Sequence, residues 1–91
     1  MKVGIVGYGI AGRYFHAPAL VSAGFEIAAI CTRSMERKAV AHSDFPAAVM
    51  VNSIEEILDE DLDLIVIAST NEVHVEHARA SLHRGIPTVL D

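Results

Sequence analysis

Six consecutive residues near the amino terminus, Gly7-Tyr8-Gly9-Ile10-Ala11-Gly12, have the types and spacing to hold a phosphate without any charged side chain. They follow the aliphatic run Val3-Gly4-Ile5-Val6 and open a segment that can be helical, which is the setting where G-x-G-x-x-G carries a mechanism. Gly7 permits the tight turn out of a strand. Gly9 removes a side chain where a pyrophosphate would approach the backbone, and Gly12 lets the helix pack close to the strand. The helix amino terminus then offers unpaired N–H groups and the positive end of its dipole. All six residues form the expected dinucleotide loop. A tight turn without a ligand would need fewer glycines, since each costs about 1 kcal/mol inside a helix.

A second group of polar residues closes the next aliphatic run. In NAD-binding domains of this kind an Asp or Glu about 20 residues past the glycine motif accepts a hydrogen bond from the ribose 2'-OH. The corresponding stretch here, Ile30-Cys31-Thr32-Arg33-Ser34, contains no carboxylate. Arg33, the hydroxyls of Thr32 and Ser34, and the nearby Arg37 and Lys38 can instead receive a 2'-phosphate. The expected cofactor is therefore NADP(H) in preference to NAD(H). Arg33 could also stack on adenine from the solvent side, which would suit either.

The elements that must position these groups are legible in the hydrophobic pattern. Val3–Val6, Phe25–Ile30, Ala48–Val51, Leu64–Ala68 and Thr88–Leu90 are short aliphatic runs without apolar/polar alternation, as in strands buried on both faces. Helical signals fall between them. Ser53-Ile54-Glu55-Glu56 has capping-box spacing, and Ser34 starts a helix of weak period. A helix beginning near Thr70 or Asn71 is expected to face inward through Val75, Ala78 and Leu82 and to stop at Gly85 and Pro87. The alternation calls for a doubly wound α/β domain over residues 1–91, a mostly parallel Rossmann sheet of about five strands. Its exposed edge predicts marginal stability or self-association.

Bulk properties narrow the partners. The 91 residues are 52% hydrophobic with a formal net charge of -5, which excludes disorder and argues against nucleic acid or an anionic membrane as partner. Any phosphate must be held locally. The single cysteine, Cys31, fits a reducing, cytoplasmic setting. The acidic run Asp59-Glu60-Asp61-Leu62-Asp63 reads as a solvated turn, and His42, His77 and His83 as surface residues. No metal site is expected, because His74 and His77 lack a third ligand in the pattern.

With these residues assembled, the whole chain resembles the amino-terminal domain of the Gfo/Idh/MocA oxidoreductases. The likeness rests on the extended first turn through Arg13-Tyr14-Phe15-His16-Ala17-Pro18, on Ser69-Thr70-Asn71-Glu72-Val73-His74, and on Gly85-Ile86-Pro87-Thr88-Val89-Leu90-Asp91. A threonine stands at Thr70 where the family's pattern has proline. The resemblance implies that Ser69, Thr70 and Asn71 lie near the ribose and nicotinamide, and that His74 fixes the loop. Asn71 reads equally as a helix cap, His74 as a first-turn residue bonded to a neighbouring loop, and His16 as either a cofactor neighbour or a packed residue. Asp91 would precede the family's catalytic lysine, so no catalytic residue is expected within the chain. The implied parent is an NAD(P)-dependent dehydrogenase of a sugar, polyol or related small-molecule substrate, homo-oligomeric through a carboxyl-terminal α+β domain. A non-catalytic dinucleotide-binding or sensing module is the alternative.

Overall fold

The aliphatic runs become strands in the computed structural model, which describes residues 1–91 apart from the side chain of Asn71. They are β1 (Lys2–Val6), β2 (Glu26–Cys31), β3 (Val49–Val51), β4 (Leu64–Ile67) and β5 (Thr88–Leu90). Every pairing is parallel and the sheet order is β3-β2-β1-β4-β5. The chain therefore builds outward from β1 to one edge, then crosses back to place β4 against β1 on the other side. Crevices for ligands open at such a reversal, beyond the carboxyl ends of the strands. This is the Rossmann-type α/β fold.

The missing alternation has a direct structural cause. Within β4, Val66 packs into a core with Val3, Ile5 and Ile30, whereas Ile65 and Ile67 pack on the opposite face with Val6, Ala29 and Val51. Both faces are covered, so both sets of alternating side chains must be apolar. The first face carries a helical stretch of wide, π-type turns (Ala11–His16) running into α1 (Ala17–Ser22), and also α2 (Met35–Asp44). The second carries α3 (Ile54–Leu58) and α4 (Asn71–His83). Ser34 caps α2 by accepting from the Arg37 N–H at 3.2 Å. Ser53 caps α3 by accepting from the Glu56 N–H, while Glu56 Oε1 accepts from Asn52 N, one residue earlier than the ideal capping box.

The inward face of α4 differs from the one expected. Val75 and Leu82 are 63% and 62% exposed, while Ser81 is fully buried and Ala78 nearly so. The stripe toward the sheet is His74, His77, Ala78 and Ser81, a proper helical spacing populated by polar residues. These residues can be inward because the fold pairs them. Thr88 Oγ1 donates to the Ile86 carbonyl and accepts from Ser81 Oγ at 2.7 Å. An apolar count cannot see a helix whose buried face is polar but satisfied. No described helix is long and apolar enough to cross a membrane.

Candidate functional site

A cleft of about 500 Å³ opens at the carboxyl ends of β1, β2, β3 and β4. The glycine turn forms its first wall, and its three glycines answer to different demands. Gly7 has φ of 94°, and a Cβ there would sit 2.8 Å from the Ala68 carbonyl oxygen. At Gly12 a Cβ would collide with the Gly7 carbonyl oxygen. Both are required by the close approach of β1, β4 and the first helix. Gly9 is not: its φ lies outside the left-handed region, and the nearest atoms to an added Cβ would be those of the Arg37 guanidinium at an ordinary 3.6 Å. The space above Gly9 is cleft, so its bareness serves a molecule approaching the backbone rather than the protein's own packing. The helical turns beyond Ile10 carry no side-chain cap, leaving their first N–H groups for such a molecule. On these two observations the loop fits a pyrophosphate.

Of the six loop residues, Gly7, Gly9 and Ile10 line the cleft, while Tyr8, Ala11 and Gly12 do not. The Tyr8 side chain is buried on the opposite side, where its hydroxyl donates to Asp44 Oδ2 at 2.6 Å and Arg13 Nε reaches the same oxygen at 3.1 Å. Burial, reinforced by the bond to Asp44, pushes the Tyr8 phenol well above its ordinary range. The same bond, together with Arg13, holds the Asp44 carboxyl below its own. The Tyr8 side chain is thus directed away from this cleft.

The second wall comes from the end of β2. Thr32 is buried, Arg33 Nε donates to the Asn52 carbonyl at 3.4 Å, and Ser34 and Arg37 face the cleft beside them. Lys38 is drawn off toward Asn52 Oδ1 and is not part of the lining. Among the described residues, the lining holds two arginines and no Asp or Glu. Cys31 also lies in this wall, where burial pushes its thiol up to about 11 and keeps it neutral. Asn52, Ser53 and Ile54 join it from the end of β3. They were absent from the sequence-based site, although the capping signal at Ser53 and the parallel-sheet rule together place them on this edge.

The third wall is the start of α4. Ser69, Thr70 and Val73 line the cleft, as does His77, which the sequence pattern assigned to the surface. That expectation is corrected: His77 is half-buried, and its Nδ1 lies 2.9 Å from Ser69 Oγ. Burial, aided by Arg33, pulls its pKa below the ordinary imidazole value, against the opposing pull of Glu76. His74 stands outside the lining and bonds the loop from beneath, its Nε2 donating to the Ile67 carbonyl at 3.1 Å. The Asp91 N–H donates to that same carbonyl at 3.1 Å, so one oxygen ties the ends of β4 and β5 to the first turn of α4. Asp91 Oδ1 in turn lies 3.4 Å from His16 Nε2. The expected role of the Asn71 side chain falls outside the described residues.

A parallel sheet with this reversal and a fitted phosphate turn agree with a match over residues 1–91 to the GFO_IDH_MocA profile, an oxidoreductase family with an NAD-binding Rossmann fold. The chain belongs to the Gfo/Idh/MocA oxidoreductase family. It is an NAD(P)-binding Rossmann domain of that family. It is 36% identical over 93 residues to scyllo-inositol 2-dehydrogenase (NADP(+)) IolW of Bacillus subtilis, a match covering 100% of this chain and 25% of the relative. It is 35% identical to the oxidoreductase YdgJ of Escherichia coli, covering 100% of this chain and 26% of that protein. Among solved structures, the oxidoreductase YvaA of Bacillus subtilis superposes with a TM-score of 0.85 at 35% identity, over 96% of this chain and 25% of that one. This Gfo/Idh/MocA domain therefore spans about a quarter of the length of the relatives it matches.

Proposed function

We propose that this domain holds NADP(H) for an oxidoreductase that moves hydride between the nicotinamide and a CH–OH carbon of a sugar, polyol or related small molecule. The observation that carries the cofactor preference is the second wall, where Arg33 and Arg37 face the cleft and no Asp or Glu does. A 2'-phosphate there gains charge-assisted bonds from two guanidinium groups, while a ribose 2'-OH finds no carboxylate to accept its proton. The Bacillus relative IolW, 36% identical, is an NADP(+)-dependent dehydrogenase, which supports the same reading.

In this reading Gly7, Gly9 and the first N–H groups of the helical stretch hold the pyrophosphate, and Ile10 covers it. Thr32, Arg33, Ser34 and Arg37 hold the phosphorylated ribose, Thr70 faces the nicotinamide half, and Ser69 positions the His77 ring. The nicotinamide, when bound, supplies the hydride acceptor or donor. The chain's own residues bind and orient the cofactor. The proton-transfer residue, the substrate pocket and the surface for homo-oligomer formation belong to the remaining length of a parent enzyme, which acts in the cytoplasm.

Calorimetric titration of the chain with NADPH and NADH tests the reading. NADPH is expected to bind about tenfold tighter, and Arg33→Ala to remove most of that margin while leaving NADH affinity near its starting value. Tighter binding of NADH would overturn the preference. Failure to bind either would overturn the cofactor function itself, and with it favour a module recognising some other ligand.

A further inference from the structure

We propose that His77 recognises the adenine base of the bound cofactor. The inference rests on the cofactor-binding reading above and extends it to a residue outside the glycine turn and the 2'-phosphate wall. His77 and Val73 lie one helical turn apart on the cleft face of α4, and Arg33 and Ile54 line the same cleft. Val73 and Ile54 supply apolar surface suited to the face of a purine.

The hydrogen bonding of the ring makes the assignment specific. Ser69 Oγ occupies Nδ1 at 2.9 Å, which fixes the orientation of the imidazole and leaves Nε2 for a ligand. A base edge offers partners to a neutral imidazole, whereas a phosphate calls for a cation. The charged groups acting on His77 are Glu76 and His74 of its own helix, Arg33 beyond β2 and Glu55 of α3. Burial lowers the imidazole's pKa below its ordinary value and so favours the neutral ring. His77 is therefore placed to serve the base, and the two arginines to serve the phosphate.

The probes are 5'-AMP, adenosine 2',5'-bisphosphate and ribose 5-phosphate, titrated calorimetrically into the full chain. His77→Ala is expected to weaken both adenine-containing probes by about fivefold, the size of one hydrogen bond, and to leave ribose 5-phosphate unchanged. Arg33→Ala gives the complementary pattern, weakening only the bisphosphate. If His77→Ala lowers the folded fraction seen by circular dichroism, His77→Gln replaces it and the wild-type ring is followed directly: its Nε2 resonance should move with 5'-AMP and stay still with ribose 5-phosphate. Unchanged 5'-AMP affinity and an unmoved Nε2 resonance would overturn the proposal, as would a loss confined to the bisphosphate. A wild-type chain that binds 5'-AMP and NADPH while His77 is silent refutes this inference alone. One that binds neither refutes the cofactor function as well.

Discussion

Tyr8 and Gly9 are adjacent in the chain and end in opposite environments. Tyr8 turns into the protein, where its hydroxyl and Arg13 share the Asp44 carboxylate and every polar group has a partner. Gly9 faces the cleft, with the Arg37 guanidinium at ordinary contact distance from where a side chain would begin and uncapped helical N–H groups beside it. The same division runs through α4. Ser81 is buried and paired within the fold, whereas His77 is tied at one nitrogen and left available at the other. Polar groups whose bonds close within the protein stabilise it, and those left open are there for something else. Substitutions on the closed side should therefore cost stability, and substitutions on the open side should cost binding.

The largest effect is expected where a glycine serves the fold. Gly12→Ala forces a Cβ into the backbone oxygen of Gly7, a contact no side-chain rotation can relieve. It should destabilise the domain by about 3 kcal/mol, a large share of the stability available to a small domain. Urea denaturation followed by circular dichroism measures this. Gly9→Ala tests the other side of the comparison, because the added methyl has ordinary van der Waals clearance from Arg37. Its urea midpoint should stay near the wild-type value while NADPH affinity falls by about tenfold, or about 1.4 kcal/mol. A Gly9→Ala variant that unfolds but binds normally in its folded fraction would reverse the assignment.

How far these roles were legible in the sequence follows from the same division. Strand runs, caps at Ser34 and Ser53, the sheet class and the glycine turn are local patterns, and the structure reproduces them with boundaries shifted by a residue or two. The family resemblance is borne out by the profile match over residues 1–91. The face of α4 was not legible, because Ser81 and His77 are inward only by virtue of Thr88 and Ser69, partners set by tertiary contact. Tyr8 illustrates the same limit. Its place in the glycine motif suggests a ligand contact, and nothing local reveals Asp44 waiting 36 positions away.

Tyr8→Phe should have a smaller effect, of about 1 kcal/mol, since the lost bond reaches a partly exposed carboxylate. Its pH dependence identifies the bond. Asp44 has a folded pKa below its ordinary 3.8, so its contribution is present above that value and disappears as the pH falls through the folded one. Tyr8 has a folded pKa raised above its ordinary 10.0, so its contribution is complete below pH 10 and is lost as the pH climbs further. The stability difference between wild type and Tyr8→Phe should consequently be flat through neutrality and shrink at both extremes. Cofactor affinity should not change, and a loss of NADPH binding would mean that the closed side of the turn also serves the ligand.

The smallest effect is expected at His77, and it sharpens the comparison because the residue belongs partly to both classes. Burial lowers its folded pKa beneath the ordinary 6.5, so the unfolded chain takes up a proton first as the pH drops. Its contribution to stability is present above pH 6.5 and is lost as the pH falls through the folded pKa. His77→Gln, which cannot titrate, should flatten the stability profile across this interval while leaving stability at pH 8 close to wild type. Urea midpoints at half-unit steps between pH 5 and pH 8 check this. Bound 5'-AMP should steepen the wild-type profile further, because a ring holding the base as a neutral partner resists protonation more strongly than a ring held by Ser69 alone. A profile unaffected by 5'-AMP would place His77 with Tyr8 and Ser81, on the side of the molecule that serves only the fold.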